Sequence, residues 1–131
     1  MESTSKRWNK LAKAAQYHAQ RDGERNCCSV FAIAAVTGVS FGKAQRVIRD
    51  CGRVTGSGAT AAAVMRATEA FGYTVTAHYP DTQTVARFAA NNPTGKFMCV
   101  TSGHICAVID GEVVDWQGGE RKRIVAVLAV S

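Results

Sequence analysis

The stretch Asn26-Cys27-Cys28-Ser29-Val30-Phe31-Ala32-Ile33-Ala34-Ala35-Val36-Thr37-Gly38 decides how the chain is read. Two thiols are followed by an apolar run that closes on a glycine. A helix that is apolar on every side belongs inside a protein, and glycine is the usual residue just past a helix end. The run therefore reads as a buried central helix with thiols at its N-terminus. Unpaired backbone N–H groups and the helix dipole at that end favour a thiolate, the reactive form of cysteine. What matters for the rest of the chain is whether any of it brings a base to that sulfur.

Upstream, residues 1–20 read as an amphipathic helix, with Trp8, Leu11 and Ala15 at helical spacing and lysines between them. A polar loop, Arg21 to Asn26, feeds the cysteine helix. Downstream, Ser40 can cap a second helix, Phe41 to Asp50, that stops near Gly52. Gly52 to Gly58 is a glycine-rich loop. Ala59 to Ala70 is alanine-rich and helical, closed by Gly72.

The period then changes. Tyr73 to Tyr79 is a strand by composition, ended by Pro80. Asp81 or Thr82 is expected to cap a short helix, Val85 to Ala90. Strands are expected over Lys96–Thr101, His104–Ile109, Glu112–Trp116 and Arg123–Val130, with Asp110-Gly111 as a two-residue hairpin turn. Helices first and antiparallel strands afterwards make an α+β fold. Its helical half is residues 21–72 and its mainly β half residues 73–131, within one domain spanning 1–131.

At 131 residues the chain is long enough for a core without disulfide staples. The cysteines number five, an odd count, and two are adjacent in sequence, which argues against a secreted disulfide framework. A reducing cytoplasm is the expected location. No apolar run approaches the roughly 20 residues of a membrane span. The net charge of +6 permits an acidic partner. Nucleic-acid binding would also want stacking aromatics among the charges, and these are few, so solvated helix faces are the preferred reading of the lysines and arginines.

Three features converge on one chemistry. A thiol, Cys27 or Cys28, sits at a helix start. His104 opens a strand directly after Thr101-Ser102-Gly103, and Asp115 lies on the next strand of a tight hairpin. If Ile109 faces Glu112 across the turn, Asp115 falls opposite Cys106, with His104 its diagonal neighbour. Diagonal side chains on one sheet face lie roughly 7–8 Å apart, within reach of a carboxylate and an imidazole. The roles follow from the groups. The thiolate attacks a carbonyl, His104 takes and returns the proton, and Asp115 fixes the imidazole's tautomer and orientation.

The order of a cysteine at the start of a buried helix, Gly103-His104 at a strand and Asp115 on the next resembles papain-like cysteine peptidases. The short interval between Cys and His is more like the compact bacteriocin-leader-processing domains. The texture of Asn26-Cys27-Cys28, Val36-Thr37-Gly38 and Thr101-Ser102-Gly103-His104 is also similar to small papain-like proteins of bacteriophages. The resemblance spans roughly residues 20–116. It implies a papain-like fold, a thiol hydrolase acting on a protein or peptide, and a Cys/His/Asp triad with no cofactor. Aligning the apolar run and Thr37-Gly38 with the family puts the nucleophile at Cys28. The family's oxyanion-hole Gln has no counterpart at its usual spacing, which lands on Asp22, so Gln20 is carried over to that role. The papain signature Cys-Gly-Ser-Cys-Trp is absent. Trp116 beside Asp115 reads as a shield over the His–Asp pair and a substrate contact, with core packing the alternative.

Rival readings stay open. Cysteines on an apolar helix are more often inert small hydrophobes, and Cys51, Cys99 and Cys106 are assigned to packing. His18 and His78 read as surface residues. Cys28, His104, Cys106 and Asp115 are all donors that zinc accepts, but no Cys-x-x-Cys pair is present and no metal is expected. An amidase, deamidase or acyl transferase would share the acyl-thioester step. A binding module that kept the fold without the chemistry is the third possibility.

Overall fold

The computed structural model describes residues 8, 10–17, 28–53, 59–115 and 119–131. Nine elements of the α+β fold follow the first helix: α1 covers residues 10–17, then come α2 (Cys28–Thr37), α3 (Phe41–Asp50), α4 (Ala61–Ala70), β1 (Val75–His78), α5 (Val85–Asn91), β2 (Lys96–Thr101), β3 (His104–Ile109), β4 (Glu112–Val114) and β5 (Ile124–Val130). The strands form one antiparallel sheet in the order β1-β5-β2-β3-β4.

Alternation along β3 shows how the layers are built. Ile105, Ala107 and Ile109 join the core formed with α2, while Cys106 and Val108 join a second cluster with Val85, Phe88 and Ala89 of α5. Helices α2 to α4 thus cover one face of the sheet and α5 covers the other, so the strand is buried on both sides. Every residue of α2 from Ser29 to Val36 is buried, as expected of a helix without a polar face. Burying Val30, Phe31, Ile33 and Val36 contributes roughly 1.5–3 kcal/mol each. α2 turns into α3 through 114°, and the Ser40 hydroxyl accepts from the Lys43 N–H at 3.2 Å as the cap of α3.

Several expected boundaries shift. Helix α4 starts at Ala61, because Thr60 adopts the extended cap conformation and its hydroxyl takes the Ala63 N–H. Helix α5 is capped by Thr84, not by Asp81 or Thr82; the Thr84 hydroxyl accepts from Arg87 N–H at 3.2 Å. Strand β1 is Val75–His78, shorter than the Tyr73–Tyr79 expected from composition, and β4 ends at Val114 rather than Trp116. In β5 the register slips by one residue between the partners of Val100 and Thr101, leaving exposed Val125 unpaired. That bulge lets Ile124 and Val127 share a face despite their odd spacing.

The amphipathic reading of the first helix holds over the described part: Ala15 is fully buried, and Trp8 and Leu11 pack against the core. The Trp8 indole N–H donates to Glu112 at 3.2 Å, tying the chain just before α1 to β4. Among the described residues no single helix is long and apolar enough to cross a membrane.

Candidate active site

The hairpin that carries the acid and the base has the expected register. Asp110 (φ +51) and Gly111 (φ +81) both take left-handed backbone, the requirement of the type I′ turn that matches strand twist. Ile109 then pairs with Glu112, Val108 with Val113 and Ala107 with Val114, so Asp115 follows opposite Cys106. On the other side of β3, Thr101 pairs with His104 across the tight Ser102-Gly103 turn. This places the imidazole at the end of the sheet, beside the start of α2.

The three candidate residues meet there. His104 Nε2 lies 2.7 Å from Asp115 Oδ2. Cys28 and His104 line the same cleft, and the imidazole and the backbone N–H groups of Ile105 and Ser29 are near enough to the sulfur to draw its thiol down. Since Nε2 faces the carboxylate, Nδ1 is the ring nitrogen left to exchange a proton with Cys28. The side chains of His104 and Asp115 are only 8% and 2% exposed, which strengthens their interaction by keeping water away.

Electrostatics follow from these contacts. Burial pushes the Cys28 thiol up, but the His104 hydrogen bond, the Ile105 N–H, the imidazolium charge and the Ser29 N–H outweigh it, and the thiol sits below its ordinary 9.0. His104 is pushed up to about 12 by the Asp115 hydrogen bond first, then by those of Cys106 and Cys28, against the opposing effect of burial. Both shifts favour a thiolate–imidazolium pair, the charge state a thiol nucleophile needs.

Sequence reasoning missed two members of the cluster. Cys106, assigned to packing, is buried as expected, yet its S–H donates to Asp115 Oδ2 at 3.2 Å. The signal was present in the hairpin register, which puts position 106 opposite 115. Gly119 is the other omission: its N–H donates to the same Oδ2 at 2.6 Å, and nothing in the spacing of a glycine after a strand marks such a role. Cys51 is half-buried at the end of α3, Cys99 is buried in the sheet, and His78 is exposed. Cys27, Gln20, Trp116 and His18 lie outside the described residues, so the oxyanion-hole and substrate-contact assignments have no structural counterpart here.

A cleft of about 170 Å³ opens beside the sulfur. Cys28 and His104 form part of its wall, with Ala59, Ala61, Val64, Val100 and Ile105 supplying apolar surface; no Asp, Glu, Lys or Arg lines it among the described residues. A larger cavity of about 370 Å³ lies between Trp8, Leu11 and Phe41, and none of Cys28, His104 and Asp115 lines it.

His104, Cys106 and Asp115 also place three donor atoms within 4.8 Å of one another, enough to consider a metal ion. The hydrogen bonding speaks against that use. Asp115 Oδ2 already receives the imidazole, the Cys106 thiol and the Gly119 N–H, and the positive end of that N–H points where a cation would sit. Comparison with known proteins gives no match, neither to a family model nor to a curated protein nor to a solved structure.

Proposed function

We propose that this chain is a thiol hydrolase of papain-like architecture that cleaves a peptide or isopeptide bond through an acyl-thioester on Cys28. The observation that carries the proposal is the gathering of Cys28, His104 and Asp115 at one corner of the sheet, with the sulfur at a helix start and in the wall of a cleft. The Cys28 thiolate attacks the carbonyl carbon. Oxyanion charge develops near the N-terminus of α2, where the first backbone N–H groups have no partner within the helix. The imidazolium then gives its proton to the leaving amine, and water, deprotonated by the same imidazole, attacks the thioester and releases Cys28. Asp115 keeps Nδ1 directed at the sulfur throughout.

The apolar, uncharged cleft suits an acyl group with a small aliphatic side chain. At about 170 Å³ it is below the roughly 300 Å³ of pockets that enclose a whole drug-sized ligand, so it takes one side chain of a longer substrate. The described cysteines are all free thiols, consistent with work in a reducing compartment such as the cytoplasm.

The test is alkylation by iodoacetamide near neutral pH, followed by mass spectrometry of peptides trapped on the protein from cells. Fast, single-site modification of Cys28 that Cys28→Ala removes, with an acyl adduct from a protein substrate, supports the hydrolase. Uniform slow labelling of all cysteines would leave a binding module on the same fold. Amide products in place of carboxylates would mark an acyl transferase. Activity abolished by a chelator and restored by zinc would favour the metal use of His104, Cys106 and Asp115 instead.

A further inference from the structure

Asp115 Oδ2 is the busiest acceptor in the molecule's catalytic corner, and one of its three donors carries no side chain. The Gly119 N–H reaches it at 2.6 Å. A Cβ built on Gly119 would fall 2.5 Å from His104 Cδ2, 2.6 Å from Asp115 Oδ2 and 2.6 Å from Cys106 Sγ. Its backbone is outside the left-handed region, so alanine could adopt the conformation; the demand for glycine comes from space alone.

The surrounding loop holds Gly119 where it is. The Lys122 N–H donates to the Gly119 carbonyl at 3.0 Å. The carbonyls of Lys122 and Glu120 in turn accept the Val85 and Ala86 N–H groups at 3.0 and 2.9 Å, satisfying donors that the first turn of α5 leaves open. Arg123 bridges to Thr84, the cap of that helix. A side chain added at 119 therefore cannot be absorbed by the loop backing away. The carboxylate and the imidazole have to move.

We infer that Gly119 is a positioning residue: by donating its N–H and leaving its side-chain space empty, it seats Asp115 against His104, and any side chain there uncouples the two. The catalytic consequence rests on the thiol-hydrolase reading; the effect on the imidazole does not.

The experiment compares wild type, Gly119→Ala, Asp115→Asn and the double variant by two readouts: the pH profile of Cys28 alkylation by iodoacetamide, and the titration of 15N-labelled His104. In Gly119→Ala the imidazole returns toward its ordinary range, and the acid limb of Cys28 alkylation moves to higher pH as the thiol regains its proton. Because Gly119 acts through the carboxylate, the double variant is no slower than Asp115→Asn alone. Gly119→Ala with wild-type titration and pH limb would overturn the inference, and so would a loss that adds in full to that of Asp115→Asn. Should Gly119→Ala not fold, pairing it with Cys106→Ala, which removes the sulfur 2.6 Å away, allows the same two readouts. If Cys28 proves no faster than an ordinary thiol in wild type, the hydrolase reading fails while the His104 titration still decides the role of Gly119.

Discussion

Cys28 and Cys106 approach one imidazole from opposite faces of the sheet, and their surroundings drive them apart. Both are largely shielded from water, and burial raises both thiols. For Cys28 the imidazole and two backbone N–H groups reverse that effect and hold the thiol below 9.0. For Cys106 burial comes first; the His104 hydrogen bond pulls down, but the charge and the hydrogen bond of Asp115 push the same way as burial, and the thiol rises to about 11. A sulfur that faces a proton-bearing ring ionises, and a sulfur that faces a carboxylate stays a donor. Burial alone does not separate nucleophile from packing residue; the identity of the nearest partner does.

The comparison breaks most visibly if Cys28 is removed. At pH 7 a thiol titrating near 11 is about one part in 10⁴ thiolate, so Cys28→Ala should abolish fast alkylation rather than transfer it to Cys106. Peptide mapping after a short iodoacetamide pulse checks this, and an adduct on Cys106 at a comparable rate would erase the proposed difference. Next in size is Asp115→Asn. It removes the group that treats the two sulfurs differently, so Cys28 should drift up toward an ordinary thiol, and turnover of any acyl substrate should fall by roughly 10²–10⁴-fold. Unchanged turnover would take Asp115 out of the mechanism.

Much of this contrast was legible in the sequence, and the reasons are local. The turn Asp110-Gly111 admits one backbone conformation, and a two-residue hairpin fixes register, so the meeting of 104, 106 and 115 follows from counting. The apolar run after Cys28 likewise has one place to go. What escaped was the chemistry of Cys106, because a half-apolar thiol on a strand carries no sign of its cross-strand partner's charge. Gly119 escaped for another reason: the approach of a loop to a carboxylate is tertiary, set by the docking of residues 119–123 on α5. The cap of α5 at Thr84, in place of the expected Asp81 or Thr82, was ambiguous for the same reason. Three residues able to cap that helix, Asp81, Thr82 and Thr84, precede it, and the bridge to Arg123 selects among them.

Stability against pH separates the two sulfurs without any substrate. Unfolded, the thiol titrates at 9.0 and the imidazole at 6.5. Above the lowered value of Cys28 the folded protein carries thiolate and imidazolium, one proton in total; the unfolded chain above pH 6.5 carries a thiol and a neutral ring, also one. Equal proton counts mean no slope, so this pair leaves stability flat up to about pH 9. Above that the raised groups dominate. His104 near 12 and Cys106 near 11 keep protons that the unfolded chain has lost, and stability falls as pH rises. Urea midpoints should therefore show a plateau over the range below pH 9 in which Cys28 is ionised, and then a decline up to pH 11. A decline that starts at 6.5 and continues steadily would mean that Cys28 is a neutral thiol in the folded state, no different from Cys106.

The hairpin turn offers a gentler perturbation of the carboxylate side alone. A Cβ at Gly111 would sit 3.2 Å from Pro93 Cα in a backbone with φ +81, so Gly111→Ala should cost about 1–2 kcal/mol. The register strains where Asp115 and Cys106 oppose each other, and Cys28 alkylation at pH 6 should slow by less than in Asp115→Asn. A destabilised protein with unaltered alkylation would show that Asp115 is held by Gly119 and Cys106 rather than by the turn.

Ser29 extends the comparison to a buried group with no partner among the described residues. Its hydroxyl, next to Cys28, makes no hydrogen bond among the described residues, whereas the equally buried Thr68 hydroxyl donates to the Val64 carbonyl at 2.8 Å. An unsatisfied buried hydroxyl is a net cost, and alanine is the better helix former. Ser29→Ala should therefore raise stability by about 0.5–1 kcal/mol, while Thr68→Ala lowers it. The two midpoints in urea give opposite signs if the nearest partner decides the energetics of a buried polar group, as it does for the two thiols. Loss of stability in Ser29→Ala would mean that the hydroxyl has found a partner, and the first turn of α2 would then hold its serine as firmly as α4 holds its threonine.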